Sequence, residues 1–176
     1  MNYNRVVCFD LEMCCWNNDG VGTTGEIIEI GLAEIDLSTQ KIVRRAQYYV
    51  KPERDQISEF CVELTGITSK TIQKQGRPLE DVFKSMVKYF GGPNKIYAAW
   101  GRDDLILKRE CMEKGLDVPF HEYLNLATIY RIQNRVKDQR IGHRAAQESK
   151  GIEWEGRQHS GYVDAYNLAK LAFTLL

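Results

Sequence analysis

Two acids, Asp10 and Glu12, interrupt an otherwise apolar run at residues 6–13. The run has the length and composition of a buried β-strand, and side chains two positions apart leave a strand on the same face. Two carboxylates on one buried face lose their hydration and repel each other unless positive charge neutralises them. The run therefore predicts a core strand whose acids lie beside bound cations.

The pattern in the rest of the chain predicts an α/β fold. Strands at residues 26–35 and 42–50 are expected to pair antiparallel through hairpins. An apolar segment at residues 95–100 leads into a helix, and such a βα step joins a sheet in parallel. Further helices are predicted around residues 58–75, 78–90, 104–112, 123–135, 140–150 and 161–176. We expect one domain over residues 1–176, a central mixed β-sheet flanked by α-helices.

Composition excludes several classes of protein. The net charge of +0 leaves no broad basic surface of the kind that coats duplex DNA. The cysteines show neither a CxxC pair nor zinc-site spacing, which favours reduced thiols and a cytoplasmic location. No apolar run approaches the ~20 residues of a spanning helix, and the first residues lack an apolar export signal. We therefore expect no membrane partner.

Two further acids occur where a metal site needs them. Asp104 follows the fourth predicted strand, at the strand end where α/β sheets hold ligands, although Asp is also a common helix N-cap. Asp164 lies at the start of the last predicted helix. Magnesium and manganese prefer such oxygen ligands, and two ions together can activate water and stabilise the leaving oxygen of a phosphodiester. The predicted metal ligands are Asp10, Glu12, Asp104 and Asp164.

His159 lies five residues before Asp164 and is the candidate general base. An imidazole can accept a proton from water near neutral pH. Glu12 is the second residue assigned to catalysis, because it or Asp10 could bridge two ions. An isolated histidine is more often a surface or capping residue, and this is the interpretation given to His121 and His143.

A basic stretch at residues 131–144 predicts contact with a phosphate backbone, although such stretches are more often solvated helix faces. Its basic members are Arg131, Arg135, Lys137, Arg140 and Arg144. Phe60 and Trp16 could stack on a nucleobase, with core packing as the commoner role of each.

Three segments resemble the motifs of the DEDDh 3′–5′ exonucleases, which belong to the ribonuclease H-like superfamily. FDLEM at residues 9–13 resembles the first motif, WGRDDL at residues 100–105 the second, and HSGYVDAYNLA at residues 159–169 the third. Within that family, FCVELTGIT at residues 60–68 and GRQH at residues 156–159 are similar to one group. It contains the histone-mRNA and small-interfering-RNA 3′ exonucleases and the bacterial sporulation-inhibitor exonucleases.

The resemblance implies a ribonuclease H-like mixed sheet and two magnesium or manganese ions held by the four acids. It also implies release of nucleoside 5′-monophosphates from the 3′ ends of single-stranded RNA or DNA. The terminal nucleotide is expected to contact Met13, Phe60, Leu64 and Thr65.

One position departs from the family pattern. Asp103 stands where relatives often carry an aromatic or apolar residue, and the register against residues 105–107 favours Asp104 as the ligand. Eukaryotic relatives often carry an additional nucleic-acid-binding domain, for which this chain has no room. Substrate selection is therefore expected to depend on this domain or on a protein partner.

Two other functions fit the same sequence. The first is an RNA-binding module that does not cleave, and the second is a regulatory protein that acts by contacting a signalling partner. RNA binding without metal and without product would favour the first, and partner binding that ignores substitutions in the site would favour the second. The sequence leaves the preference for RNA or DNA, the native metal and the oligomeric state open.

Overall fold

A single mixed β-sheet forms the centre of the protein. The computed structural model describes residues 3–17, 25–137 and 141–176. The strands lie in the order β3-β2-β1-β4-β5, so that β1 is central. Their bounds are β1 Arg5–Met13, β2 Ile27–Asp36, β3 Lys41–Tyr49, β4 Ile96–Ala99 and β5 Glu122–Asn125.

The strand pairings confirm most of the predicted sheet. β1 pairs antiparallel with β2 and parallel with β4, and β2 pairs antiparallel with β3. The β1–β2 connection is not the predicted hairpin, because it spans residues 14–26 and hairpin loops have about 2–5 residues. Residues 18–24 of this connection lie outside the described residues.

Seven helices are present in the described residues, namely α1 Glu59–Thr65, α2 Ser69–Gln75, α3 Leu79–Phe90, α4 Asp103–Lys114, α5 Leu126–Asn134, α6 His143–Ser149 and α7 Gly161–Ala172. The prediction of a helix from residue 123 is wrong at its start, where Glu122–Asn125 pairs with β4 as a parallel strand. Four residues are too short for a periodic signal. Arg140, the predicted start of the next helix, lies outside the described residues.

The two faces of β1 pack against different helices. Val7, Phe9 and Leu11 belong to a core that includes residues of α3 and α4. Val6 and Cys8 belong to a second core built with residues of α5, α6 and α7. Because side chains two apart share a face, Asp10 and Glu12 continue the second row and lie on the side of α7.

A pair of glycines lets α7 touch the sheet. A Cβ on Gly31 of β2 would lie 1.9 Å from the backbone of Gly161, and a Cβ on Gly161 would lie 3.1 Å from the carbonyl oxygen of Asp10. Any side chain at residue 31 would therefore push the helix away. This contact fixes the first turn of α7, which carries Asp164, beside the centre of β1.

The structure bears on two predictions made from composition, one about the cysteines and one about membrane-spanning helices. All five cysteines are free, as expected for reduced thiols. Among the described helices, none combines the length and the apolarity that spanning a lipid bilayer requires.

Candidate active site

Three of the predicted acids converge between β1 and α7. Asp10, Glu12 and Asp164 each offer a carboxylate oxygen that lies within 4.8 Å of the other two. The first two come from adjacent positions on one face of β1, and the third comes from the first turn of α7. Long-range packing of the helix on the sheet therefore assembles the cluster.

The cluster is electrostatically strained in the absence of cations. Burial, together with the neighbouring acids, raises the pKa of Asp10 well above its usual range. Burial and then the charge of Asp164 raise the pKa of Glu12 to about 8. Burial also raises the pKa of Asp164 to about 7. Carboxyls with pKa values near neutrality mark a place where positive charge would be strongly stabilising.

Asp164 and His159 are joined through the backbone. The His159 N–H donates to Asp164 Oδ2 at 3.1 Å, and His159 adopts the left-handed backbone conformation with φ 60°. Its imidazole is exposed and borders the same cavity as the three acids. The loop before α7 thus presents an accessible imidazole next to the acid cluster, as a general base requires.

Glu29 is a buried acid beside the site, and no motif in the sequence singles it out. It is the pairing partner of Glu12 across β1 and β2, and 1% of its surface is exposed. Its Oε1 accepts hydrogen bonds from the Gln47 side chain at 2.8 Å and from the backbone N–H of Tyr162 at 2.9 Å. Because no side chain of Ser160 caps α7, Glu29 supplies this helix with a cap from the sheet.

The two adjacent aspartates at the start of α4 have different surroundings. Asp104 is 2% exposed, and its carboxylate pairs with Arg102 at 2.9 Å and with Lys108 at 3.1 Å. Although burial acts in the opposite direction, hydrogen bonds from these two cations lower its pKa. Asp104 is therefore already neutralised by the protein itself.

Asp103, in contrast, belongs electrostatically to the acid cluster. Its carboxylate accepts a hydrogen bond from the backbone N–H of Leu11, and burial raises its pKa to about 7. Among the neighbouring charges, that of Asp103 raises the pKa of Asp10 most strongly. Asp103, rather than the ion-paired Asp104 that was predicted as the fourth metal ligand, is therefore the aspartate of this pair that interacts with the acid cluster.

A cavity of about 950 Å³ opens over the acids. Its lining includes the end of β1, the segment after it and Leu64, together with Trp100, residues 142–145 and Trp154. The His143 ring stacks on Trp100 with centroids 5.5 Å apart. Burial lowers the pKa of His143 to about 4, so the ring is neutral and forms part of the cavity wall rather than of the surface.

The structure brings only some of the predicted substrate-binding residues to the cavity. Met13 and Leu64 line the cavity, whereas Phe60 and Thr65 do not. The Thr65 hydroxyl is buried, donates to the carbonyl oxygen of Cys61 at 2.8 Å and accepts from the N–H of Ile67 at 3.0 Å. Its hydrogen bonds stabilise the end of α1, so the prediction that Thr65 contacts substrate is not supported.

Arg157 connects the end of α1 to the loop before α7 that carries His159. Its Nη2 donates to the carbonyl oxygens of Glu63 at 2.7 Å and Leu64 at 3.3 Å, near the end of α1. These carbonyls lack partners within the helix and favour a cation. The contact links the end of α1, which carries Leu64, to the segment two residues before His159, and both Leu64 and His159 line the cavity.

The acid cluster fits a divalent cation. Its donors are carboxylate oxygens, the ligands that magnesium and manganese prefer. Asp164 Oδ1 is buried without a hydrogen-bond partner among the described residues. No ion pair of the described residues involves Asp10, Glu12 or Asp164. Buried carboxyls whose pKa values are raised, and that form no ion pair with a protein cation, are typical of a site that binds a metal ion.

Comparison with known families decides where the chain belongs. The family model described as Exonuclease (RNase_T) matches residues 7–172. This chain belongs to the exonuclease family. The match includes the acids of β1, the start of α4 and the histidine loop with α7.

Curated relatives carry exonuclease names. The chain is 30% identical over 200 residues to human ERI1 exoribonuclease 2, covering 99% of this chain and 28% of that protein. It is 28% identical over 194 residues to the 3′–5′ exonuclease Snipper of Drosophila melanogaster, covering 96% of this chain and 68% of that protein. The chain thus spans less than a third of the length of the human relative.

Solved exonuclease structures share the fold. The nuclease domain of 3′hExo, a DEDDh family member bound to rAMP, superposes with a TM-score of 0.86 at 27% identity, covering 98% of this chain and 91% of that one. A 3′-exonuclease described in 3′-end-specific recognition of a histone mRNA stem-loop gives 0.83 at 26% identity, with 99% and 82% covered. The chain is a DEDDh exonuclease with the ribonuclease H-like fold, and this family uses divalent metals.

The basic stretch is separated by the fold. Arg131 and Lys137 border a small surface depression at the end of α5, whereas Arg144 lines the cavity over the acids. Arg140 lies outside the described residues. Among the described members of the stretch, Arg144 therefore lines the cavity, whereas Arg131 and Lys137 do not.

Proposed function

We propose that this chain removes nucleotides from the 3′ end of single-stranded RNA by metal-dependent hydrolysis of the terminal phosphodiester, acting as one exonuclease domain. The observation that carries the proposal is the convergence of Asp10, Glu12 and Asp164 beside the accessible imidazole of His159. Membership of the DEDDh family supports it. The names of the relatives favour RNA over DNA as the substrate.

Four carboxylates would hold two magnesium or manganese ions: Asp10, Glu12, Asp103 and Asp164. When bound, the ions lower the pKa of the attacking water and stabilise charge on the leaving oxygen. The residues of the chain supply the geometry, since β1 fixes the first two acids and the glycine contact fixes the last. Glu29 of β2 positions α7 by accepting a hydrogen bond from the N–H of Tyr162 in its first turn.

His159 would accept the proton of the attacking water. Its imidazole stands at the mouth of the cavity, and its backbone N–H is held by Asp164, so that the base and a metal ligand move together. Met13 and Leu64, which line the same cavity, would contact the terminal nucleotide. Attack on the terminal phosphodiester would release a nucleoside 5′-monophosphate.

A digestion assay on end-labelled oligonucleotides tests the proposal. With magnesium or manganese, an RNA labelled at its 5′ end should shorten stepwise, and an RNA with a blocked 3′ end should resist. Asp10→Asn should abolish shortening, because the charge that would bind the ions is reduced while the shape is kept. Asp117→Asn makes the same chemical change at an exposed position and should leave the rate unchanged.

The same assay separates the alternatives. RNA binding without shortening would favour a non-cleaving module, and faster shortening of DNA than of RNA would reverse the substrate preference. Shortening by the native protein that persists in Asp10→Asn would point to a contaminating nuclease and remove the support for the proposed function.

A further inference from the structure

The cavity over the acids is strongly unbalanced in charge. Its lining includes Asp10, Glu12, Glu148 and Asp164, whereas Arg144 is the single permanently charged cation among the described lining residues. His143 is neutral because burial lowers its pKa to about 4. An anionic strand that enters the cavity therefore meets one fixed positive group of the protein, besides any bound metal.

Arg144 is placed and oriented by two neighbours. Its Nε donates to Glu148 Oε1 at 2.7 Å, one turn further along α6, and its Nη1 donates to Gln158 Oε1 at 3.2 Å. Gln158 immediately precedes His159, so the guanidinium contacts the residue next to the proposed base. Of the five N–H donors of a guanidinium, two are used by these bonds within the described residues, and half of the side chain is exposed.

The size of the cavity leaves room beyond the terminal nucleotide. Its volume of about 950 Å³ lies near the upper end of the roughly 300–1,000 Å³ common for ligand pockets. The acids, Leu64, Trp100, Arg144 and Trp154 all line this one cavity. A strand whose last phosphodiester lies at the acids can therefore extend its next phosphate into the rest of the same cavity.

We propose that Arg144 binds the phosphate that follows the scissile phosphodiester towards the 5′ end, and so selects substrates of at least three nucleotides. The inference rests on the proposed function and adds a specificity-determining contact to it. A guanidinium suits this role because its planar donors match phosphate oxygens. Glu148 and Gln158 pre-orient the group without burying it.

A comparison of two short substrates tests the proposed contact between Arg144 and this phosphate. A dinucleoside monophosphate with a free 5′-hydroxyl contains the scissile phosphodiester and no other phosphate, whereas the matching trinucleotide adds one phosphate. We expect the native protein to show a higher kcat/KM for the trinucleotide. In Arg144→Gln the ratio of the two kcat/KM values should fall by about tenfold. For the trinucleotide, the slope of log(kcat/KM) against log salt concentration should become shallower by about 1.

Two variants serve as controls. Lys137→Gln removes the same charge away from the cavity and should keep the native ratio, and Arg144→Lys should keep part of the preference because the charge remains. An unchanged ratio in Arg144→Gln would overturn the inference, as would an equal loss on both substrates, which indicates a structural role. If the native protein cleaved neither substrate nor longer RNA, the proposed function would fail and the assignment of Arg144 with it.

Discussion

Adjacent aspartates at the start of α4 show how much one residue of helix register matters. Successive side chains on a helix point about 100° apart, so neighbours in sequence meet different surroundings. Asp104 meets Arg102 and Lys108, while Asp103 meets the backbone of β1 and the charge of Asp10. Identical chemistry thus gives an ion-paired structural acid at one position and a candidate metal ligand at the next.

Substitution of the two aspartates should therefore have opposite consequences. Asp103→Asn should weaken manganese binding by at least tenfold, because it removes charge from the acid cluster. Asp104→Asn should change the affinity by less than about threefold and cost roughly 1 kcal/mol of stability, since the exposed Arg102 and Lys108 can resolvate. Isothermal titration and chemical denaturation measure the two effects, and the reverse order of affinities would restore Asp104 as the ligand.

His159 combines an exposed imidazole with a left-handed backbone. Asparagine adopts that conformation more readily than most residues, so His159→Asn removes the base with little disturbance of the loop. We expect kcat to fall by about 10²–10⁴-fold, with metal affinity and stability near those of the native protein. His121→Asn, at another exposed histidine, should leave kcat unchanged. A comparable fall in both variants would contradict the assignment.

At the scale of elements, the contact between β2 and α7 controls the site. Gly31 and Gly161 allow backbone to touch backbone, and Glu29 caps the helix from the neighbouring position on the sheet. Asp164 reaches the acids of β1 only if this contact is kept. The helix therefore carries one acid of the cluster, and its distance from the sheet determines whether the cluster forms.

Gly31→Ala tests this coupling. The added methyl would overlap the backbone of Gly161, so α7 must move outward, with a loss of about 1–3 kcal/mol or more in unfolding free energy. Manganese affinity should fall in parallel, because Asp164 moves with the helix. Gly92→Ala is the matched control, since its methyl meets Val87 at an ordinary 3.9 Å. Loss of stability with unchanged manganese affinity would refute the coupling.

At the scale of the whole molecule, the acid cluster links folding to pH and metal. Glu12, with a pKa of about 8, and Asp103 and Asp164, with pKa values of about 7, bind protons in the folded state that an unfolded carboxyl, with a pKa near 4, does not hold. Stability therefore falls as pH rises towards these folded values. His143 acts in the opposite direction, between its folded pKa of about 4 and its unfolded value near 6.5.

Between pH 6.5 and pH 8, the pH dependence of stability comes mainly from the acids of the cluster, because this range lies above the titration range of His143. Without divalent metal, we expect the unfolding free energy to fall by about 1–2 kcal/mol across this window. Excess magnesium should abolish or reverse the fall, because the ions bind the deprotonated carboxylates of the folded state. Denaturant titrations at the two pH values, with EDTA or with magnesium, measure the effect. A metal-free stability that rises across the window would be inconsistent with the raised pKa values.

Sequence patterns were sufficient wherever the signal is local. The apolar run of β1 with its two acids, the antiparallel pairing of β1 with β2 and of β2 with β3, and the βα step after β4 were all predicted correctly. The four-residue strand β5 was missed because its pairing partner lies more than twenty residues away and its own length shows no period. The same limit applies to Glu29, one of three acids in a fully buried strand, because nothing in the sequence of that strand indicates its contact with α7.

The sequence by itself determined the kind of chemistry available, because acids within apolar segments require a cation and only a few residue types can provide a base. The tertiary structure alone decided which of those residues meet. It placed Asp103 rather than Asp104 in contact with β1, buried the Thr65 hydroxyl and brought Arg144 to the cavity. The reason is geometric: helix orientation and close backbone packing set the direction of each side chain, and neither is written in local spacing.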